Sequence, residues 1–241
     1  MRDIQLHKLN DGSTVEIERK KIGRGHRYLI NGENPVKSVT SVLGHIDSDA
    51  FGIGMNWALK QARLANDIDA PKRIGNAARE AGELLHSQIE EFINTGTIAE
   101  DPVFLAWHWL MDGLRFSEGL SLVATERFVY DNQMMIAGTV DSLALTQHGE
   151  IHVYDWKTKE RESYEKYGPS TKDFVQLAGY VQALRNMNSV WQPTKAWIVY
   201  VMRDGSKAER VEVPLEKYIP IYQTVTQLAS LLQEAKYNAK A

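Results

Sequence analysis

No cysteine occurs among the 241 residues, which removes disulfide staples, thiolate zinc sites and cysteine nucleophiles together. No window approaches the roughly 20 consecutive apolar residues of a membrane span. The opening MRDIQLHKLNDGSTVEIERK has neither the apolar core of a secretion signal nor the acid-poor composition of a transit peptide. One-signed charge is missing too, since 28 Lys and Arg against 31 Asp and Glu leave a net charge of −3. A chain so balanced does not coat nucleic acid indiscriminately, so a nucleic-acid site here has to be a local basic surface. Internal repeats, low-complexity runs and interdomain linkers are also absent. These absences together predict a cytoplasmic protein built as one domain.

What is present is ordinary for a globular chain, 43% hydrophobic and 24% charged, and long enough to enclose a substantial core. Residues 4–31 read as short strands with turns at Asn10-Asp11-Gly12 and Gly23-Arg24-Gly25, a small β-rich appendage over residues 1–35. Ser48 or Asp49 is placed to cap a helix through Ala65. Apolar residues from Ile74 to Ile93 recur at helical spacing and predict a helix over 71–95, and Asp101-Pro102 opens another to Glu118. The period then changes to two. Strands are predicted at 122–130, 135–145 and 150–157, in meander order because the links are too short for parallel crossovers. A Gly/Pro/Lys-rich loop at 158–171, a helix over 172–187, a hairpin at 195–202 and 208–213 across Arg203-Asp204-Gly205, and a helix over 216–237 complete the chain. This order predicts an α/β fold, a central mixed sheet with a three-strand antiparallel meander flanked by helices.

The most strand-like stretch, AGTVDSLALTQHGEIHVYDWKTKE (Ala137–Glu160), carries Asp141, Asp155 and Lys157. Residues two apart in a strand share a face, so Asp155 and Lys157 point one way and Trp156 the other, and Thr139 shares a face with Asp141. Antiparallel pairing through the turn around Gln147–Gly149 brings Asp141 towards Asp155. Clustered carboxylates repel one another unless a cation lies between them, and a divalent metal beside a lysine resolves that conflict. The bland alternative is a set of solvated charges at a strand end. Two linked features, the D-x-K closing an apolar alternation and a second acid one strand earlier behind Gly138-Thr139, favour the site.

GTVDSL followed by VYDWKTKE resembles the PD-(D/E)XK nuclease superfamily, and within it the RecB-like branch of phage exonucleases and the mitochondrial genome-maintenance exonuclease. Val140 stands where the superfamily's nominal signature has proline, as is frequent in that branch. In AREAGELLHSQIEEF, Gly82 and His86 are four apart on one helical face, and the segment is similar to the helix that supplies the branch with a histidine ligand. DFVQLAGYVQAL places Gln176 and Tyr180 like the branch's Q-x-x-x-Y, and Glu126 in VATERFVY matches an acid on the strand before the first motif. VKSVTSVLG is similar to another segment of the phage members, so the likeness runs from Val36 to Tyr180.

The resemblance implies a restriction-endonuclease-like core and metal-assisted phosphodiester hydrolysis. Asp141, Asp155, His86 and the carbonyl of Trp156 would hold Mg²⁺ or Mn²⁺, hard cations suited to oxygen-rich sites. Lys157 would position water or stabilise the transition state, with Glu126, Gln176 and Tyr180 in support. DNA, single-stranded by preference, is the implied partner, in a bacterial cytoplasm or in that of a phage's host. Basic and aromatic residues suit phosphate contact and base stacking: Arg63, Lys72, Arg73 and Arg79 on the helices, and Thr158, Lys159, Tyr164 and Lys172 after the motif. A duplex-resecting exonuclease and a structure-specific endonuclease share this chemistry. A catalytically silent DNA-binding module and a small-phosphoester hydrolase are the other classes, the first disfavoured by the intact Asp141, Asp155 and Lys157, the second by the basic aromatic segment.

Overall fold

The computed structural model describes residues 3–22, 25–32, 34–44, 53–187 and 190–238. Strands β1 (Asp3–Lys8), β2 (Thr14–Ile22) and β3 (Gly25–Ile30) form an antiparallel sheet that β4 (Asn34–Ser38) extends. A short helix α1 (Val39–Leu43) follows, opened by a reciprocal capping box in which Ser38 and Ser41 each accept the other's backbone N–H. Helices α2 (Ile53–Ala65), α3 (Ala70–Thr95) and α4 (Pro102–Glu118) precede the meander β5 (Ser121–Asp131), β6 (Ile136–Leu145) and β7 (Ile151–Lys159). Then come α5 (Arg161–Tyr167), α6 (Thr171–Met187), the hairpin β8 (Pro193–Met202) and β9 (Ala208–Glu212), and α7 (Leu215–Asn238).

The central sheet is mixed, as expected. β6 pairs antiparallel with both β5 and β7, β7 pairs parallel with β8, and β4 pairs parallel with β6 through Lys37–Ile136 and Ser38–Ala137. The N-terminal strands are therefore continuous with the central sheet. The long α3 and α4 cover one face, where Leu85, Ile89, Phe104 and Trp107 pack on Tyr154, Trp156 and Val199. On the other face the middle of α6, buried from Leu177 to Leu184, lies between the sheet and α7. Alternation along β7 thus sends Tyr154 and Trp156 to the α3–α4 side and Val153 to the α6 side, with Asp155 and Lys157 on that same parity.

One expectation changes. Residues 158–171 are not a loop: β7 runs on to Lys159, and α5 follows, with Tyr164 buried against Tyr200 at 5.0 Å between ring centroids. The proline and glycine that suggested a loop, Gly168 and Pro169, lie after α5 and end it. The caps expected at Ser48 and Asp49 and the turn residues Gly23 and Arg24 lie outside the described residues.

Candidate active site

The site begins with a fork in the sheet. β5 occupies one whole edge of β6, from Asp131–Ile136 to Ser121–Leu145. The opposite edge is shared, β4 taking residues 136–137 and β7 taking 142–145. The β6–β7 ladder ends at Ser142–Tyr154, one step before Asp141 would face Asp155. Backbone groups left without a ladder partner need another one. Trp156 finds both of its partners in side chains at the fork: its N–H donates to Asp141 Oδ2 at 2.8 Å, and its carbonyl oxygen lies 3.0 Å from His86 Nε2.

His86 reaches this point from α3. It also lies 3.7 Å from Asp141 Oδ2. A third group joins them from β5, because Glu126 lies between the ladder pairs Thr125–Ser142 and Arg127–Val140 and so stands opposite Asp141. His86, Glu126 and Asp141 each offer a donor atom within 4.8 Å of the others, the only such trio among the described residues. Glu126 stands with His86 and Asp141, while Asp155 sits outside that trio.

Asp155 is 1% exposed, and its Oδ2 lies 2.6 Å from Lys157 Nζ. Burial pushes the Asp155 carboxyl up, Lys157 opposes the shift and Asp141 adds to it, leaving its pKa at about 7. Burial alone would lower Lys157, but Asp155 and Asp141 override it and hold the ammonium above its ordinary range. Glu126 is likewise raised, by burial first and Asp141 second, against the pull of Arg19. The α6 side is closed by Tyr180, whose ring packs so tightly on Gly138 that a Cβ there would come within 2.5 Å of it. Gln176 Nε2 donates to Tyr180 Oη at 3.0 Å, which leaves the phenol's own proton free to donate elsewhere.

These groups open onto a cleft of about 570 Å³ lined by His86, Glu126, Asp141 and Tyr180, by Gly82 and Glu90 of α3, and by Arg19, His26 and Tyr28 of the N-terminal sheet. Arg19 Nη1 pairs with Glu126 Oε2 at 2.8 Å, and the Tyr28 hydroxyl and Thr139 Oγ1 are 2.8 Å apart. Sequence reading left Arg19 and Tyr28 out of the site. A signal existed: the alternation that buries Val15 and Ile17 continues to Arg19, aiming an arginine inward.

The expected nucleic-acid contacts are dispersed. Arg63 is exposed at the end of α2, and Lys72 and Arg73 lie near the start of α3, about 20 Å along the helix from His86 at 1.5 Å per residue. Arg73 pairs with Asp67 and Arg79 with Glu83. Thr158 faces α3 near Gly82, Lys159 pairs with Asp173 at 3.0 Å, Lys172 lies in the first turn of α6, and Tyr164 is buried away from the cleft.

The donor set suits a hard divalent cation: one imidazole, two carboxylates and a backbone carbonyl.

No curated protein sequence matches the chain. Among solved structures it is similar to LHK-Exo in complex with dAMP, with 13% identity over 85% of this chain and 90% of that one and a TM-score of 0.45. It is also similar to an alkaline exonuclease (LHK-Exo) from Laribacter hongkongensis, with 12% identity over 57% and 72% and a TM-score of 0.34. A third is SSO0001, at 16% identity over 79% and 75% with a TM-score of 0.36. A family model for the PD-(D/E)XK nuclease superfamily matches residues 99–241, which include Glu126, Asp141, Asp155-Trp156-Lys157, Gln176 and Tyr180. His86 and the N-terminal sheet lie before that match. With the family model spanning more than half of its length, this chain belongs to the PD-(D/E)XK nuclease superfamily.

Proposed function

We propose that the protein is a Mg²⁺- or Mn²⁺-dependent deoxyribonuclease of the RecB-like branch, an exonuclease acting on single-stranded DNA ends, with residues 1–241 serving as one nuclease domain in the cytoplasm. The observation that carries this reading is the fork between β6 and β7, where Asp141, Glu126, His86 and the Trp156 carbonyl converge beside the Asp155–Lys157 pair. Asp141, Glu126, His86 and the Trp156 oxygen would hold the cation, with Asp155 at its margin. A divalent cation bound there lowers the pKa of water and offsets the charge that builds on the phosphoryl oxygens.

The chain's own groups do the rest. Lys157, kept protonated by Asp155, presents an ammonium to the incoming water or to a phosphoryl oxygen. Asp155 fixes the direction of that ammonium. Tyr180 is held far above its ordinary pKa, mainly by burial, so its hydroxyl stays protonated and donates into the cleft. Towards the start of α3, Arg79, Arg73 and Lys72 follow the helix away from the cation and supply phosphate contacts along a single strand. Arg63, Thr158, Lys159 and Lys172 belong to the same proposed surface, whereas Tyr164 would have to leave its packing on Tyr200 to stack with a base.

The test is degradation of end-labelled linear single strands, duplexes and closed circles with Mg²⁺ or Mn²⁺, alongside the Asp141→Asn variant. The expected result is cation-dependent loss of linear single strands, intact circles and an inactive variant. Cleavage of circles would replace the exonuclease reading with an endonuclease, and preference for duplex ends would replace the single-strand reading. Binding of DNA by the wild type with hydrolysis of none of these substrates would establish a silent module.

A further inference from the structure

Glu126 is a non-glycine residue with φ of +46°, in the sparsely allowed left-handed region, in the middle of a strand. Such a conformation persists where the surroundings over-determine it, and it concentrates where function requires it. Its surroundings here come from the other end of the chain. Gln5 Nε2, on β1, donates to the Glu126 carbonyl at 2.7 Å, and Gln5 Oε1 accepts from Phe128 N–H at 2.8 Å. One side-chain amide thus takes up a backbone acceptor and a backbone donor on either side of Arg127. Next to it on β2, paired with β1 through Asp3–Arg19 and Gln5–Ile17, Arg19 holds the Glu126 carboxylate itself.

We infer that Gln5 is a positioning residue for cation binding: its amide clamps the left-handed turn at Glu126 and so delivers that carboxylate to His86 and Asp141. The inference rests on the reading of those three residues as the cation site. It makes the N-terminal sheet, which lies before the family match, a working part of that site. An ordinary β conformation at residue 126 would redirect its side chain, and Gln5, by holding the Glu126 carbonyl and the Phe128 N–H, stabilises the left-handed backbone there. Residues that orient a ligand in this way commonly change metal affinity by about ten- to a hundredfold when lost.

The experiment is Mn²⁺ titration calorimetry on the full chain, with no DNA present, for wild type, Gln5→Met, Glu126→Gln and the double variant, with thermal midpoints recorded in parallel. Gln5→Met keeps the side-chain length without the two hydrogen bonds. The expected result is Mn²⁺ affinity about tenfold lower in Gln5→Met, lower in Glu126→Gln, and no further loss when Gln5→Met is added to Glu126→Gln. Wild-type affinity in Gln5→Met, with Glu126→Gln weakened, overturns the clamp and leaves the cation site standing. Equal losses from Gln5→Met in both backgrounds also overturn it, because the residue would then act on the scaffold instead of through Glu126. Unchanged affinity in Glu126→Gln itself overturns the cation-site reading and the clamp with it. Should Gln5→Met not fold, Gln5→Glu retains the acceptor for Phe128 N–H and loses the donor to Glu126. Reduced affinity in that variant supports the clamp and wild-type affinity overturns it.

Discussion

Asp155 Oδ2 and Lys157 Nζ lie 2.6 Å apart, the acid 1% exposed and the lysine side chain 23% exposed. The contact follows from strand geometry alone, since residues two apart on β7 must share a face. Removing the lysine leaves a carboxylate in a dry environment without its counter-charge. Lys157→Met should therefore reduce DNA hydrolysis by about 10²- to 10⁴-fold and also lower unfolding free energy by about 3 kcal/mol. Combining it with Asp155→Asn should restore part of the stability and none of the activity. Denaturant unfolding beside a labelled-DNA assay separates the two effects.

Gly138 and Gly179 give a paired prediction about packing. A Cβ on either would come within 2.5 Å of a tyrosine ring, Tyr180 for the first and Tyr222 for the second. Each alanine variant should lose about 1–3 kcal/mol through overpacking. Gly138→Ala should additionally displace the Tyr180 hydroxyl from the cleft and reduce DNA turnover at matched folded fraction. Gly179→Ala, which presses on α7 behind the sheet, should leave turnover per folded molecule near wild type.

For Tyr180 itself, Tyr180→Phe removes the hydroxyl and keeps the ring that packs on Gly138. Its expected signature is unchanged stability within about 0.5 kcal/mol and a fall in the DNA hydrolysis rate of about tenfold or more. A stable variant of undiminished rate would remove Tyr180 from the set of groups that touch substrate.

A pH effect on stability is expected from His7. The residue is 3% exposed, neither ring nitrogen has a hydrogen-bond partner among the described residues, and its pKa falls to about 4, by burial first and then by Arg127. The folded chain holds this imidazole neutral, while the unfolded chain protonates it below about 6.5. Below that pH the unfolded state binds the extra proton, so stability is complete above about pH 6.5 and declines as pH falls towards 4. By pH 5 the loss from this one residue is about 2 kcal/mol. Denaturant unfolding at pH 5 and 7.5 should show it, and His7→Phe should flatten it.

Much of this arrangement was legible in the chain itself. Period-two alternation around Val153 and Trp156 fixed the parity that puts Asp155 with Lys157, and the short links forced β5, β6 and β7 into a meander. The helical spacing of apolar residues from Ile74 to Ile93 located the helix that brings His86 to the fork. What stayed hidden depended on contacts between distant segments. Glu126 is among the supporting residues that the resemblance implies, but nothing local announces a left-handed φ at a non-glycine residue inside a strand. Gln5 is 121 residues from the carbonyl it binds, and Arg19 is 107 residues from the carboxylate it holds. Tyr164 looked available because Gly168 and Pro169 suggested a loop. A helix of about two turns there turns its ring onto Tyr200 instead.

The fork in β6 also bears on when cutting power arises during synthesis. Its walls are β4 and β7, and the backbone at Glu126 is held by β1, so β1 must wait for partners more than a hundred residues later. At ordinary elongation speeds of about 5–20 residues per second, that interval is on the order of ten seconds. Through it the ribosome carries a chain with α3 and the N-terminal hairpins but without the fork at which His86, Glu126 and Asp141 meet. On the proposed function, a nascent chain of this design acquires its centre only when the meander is nearly complete.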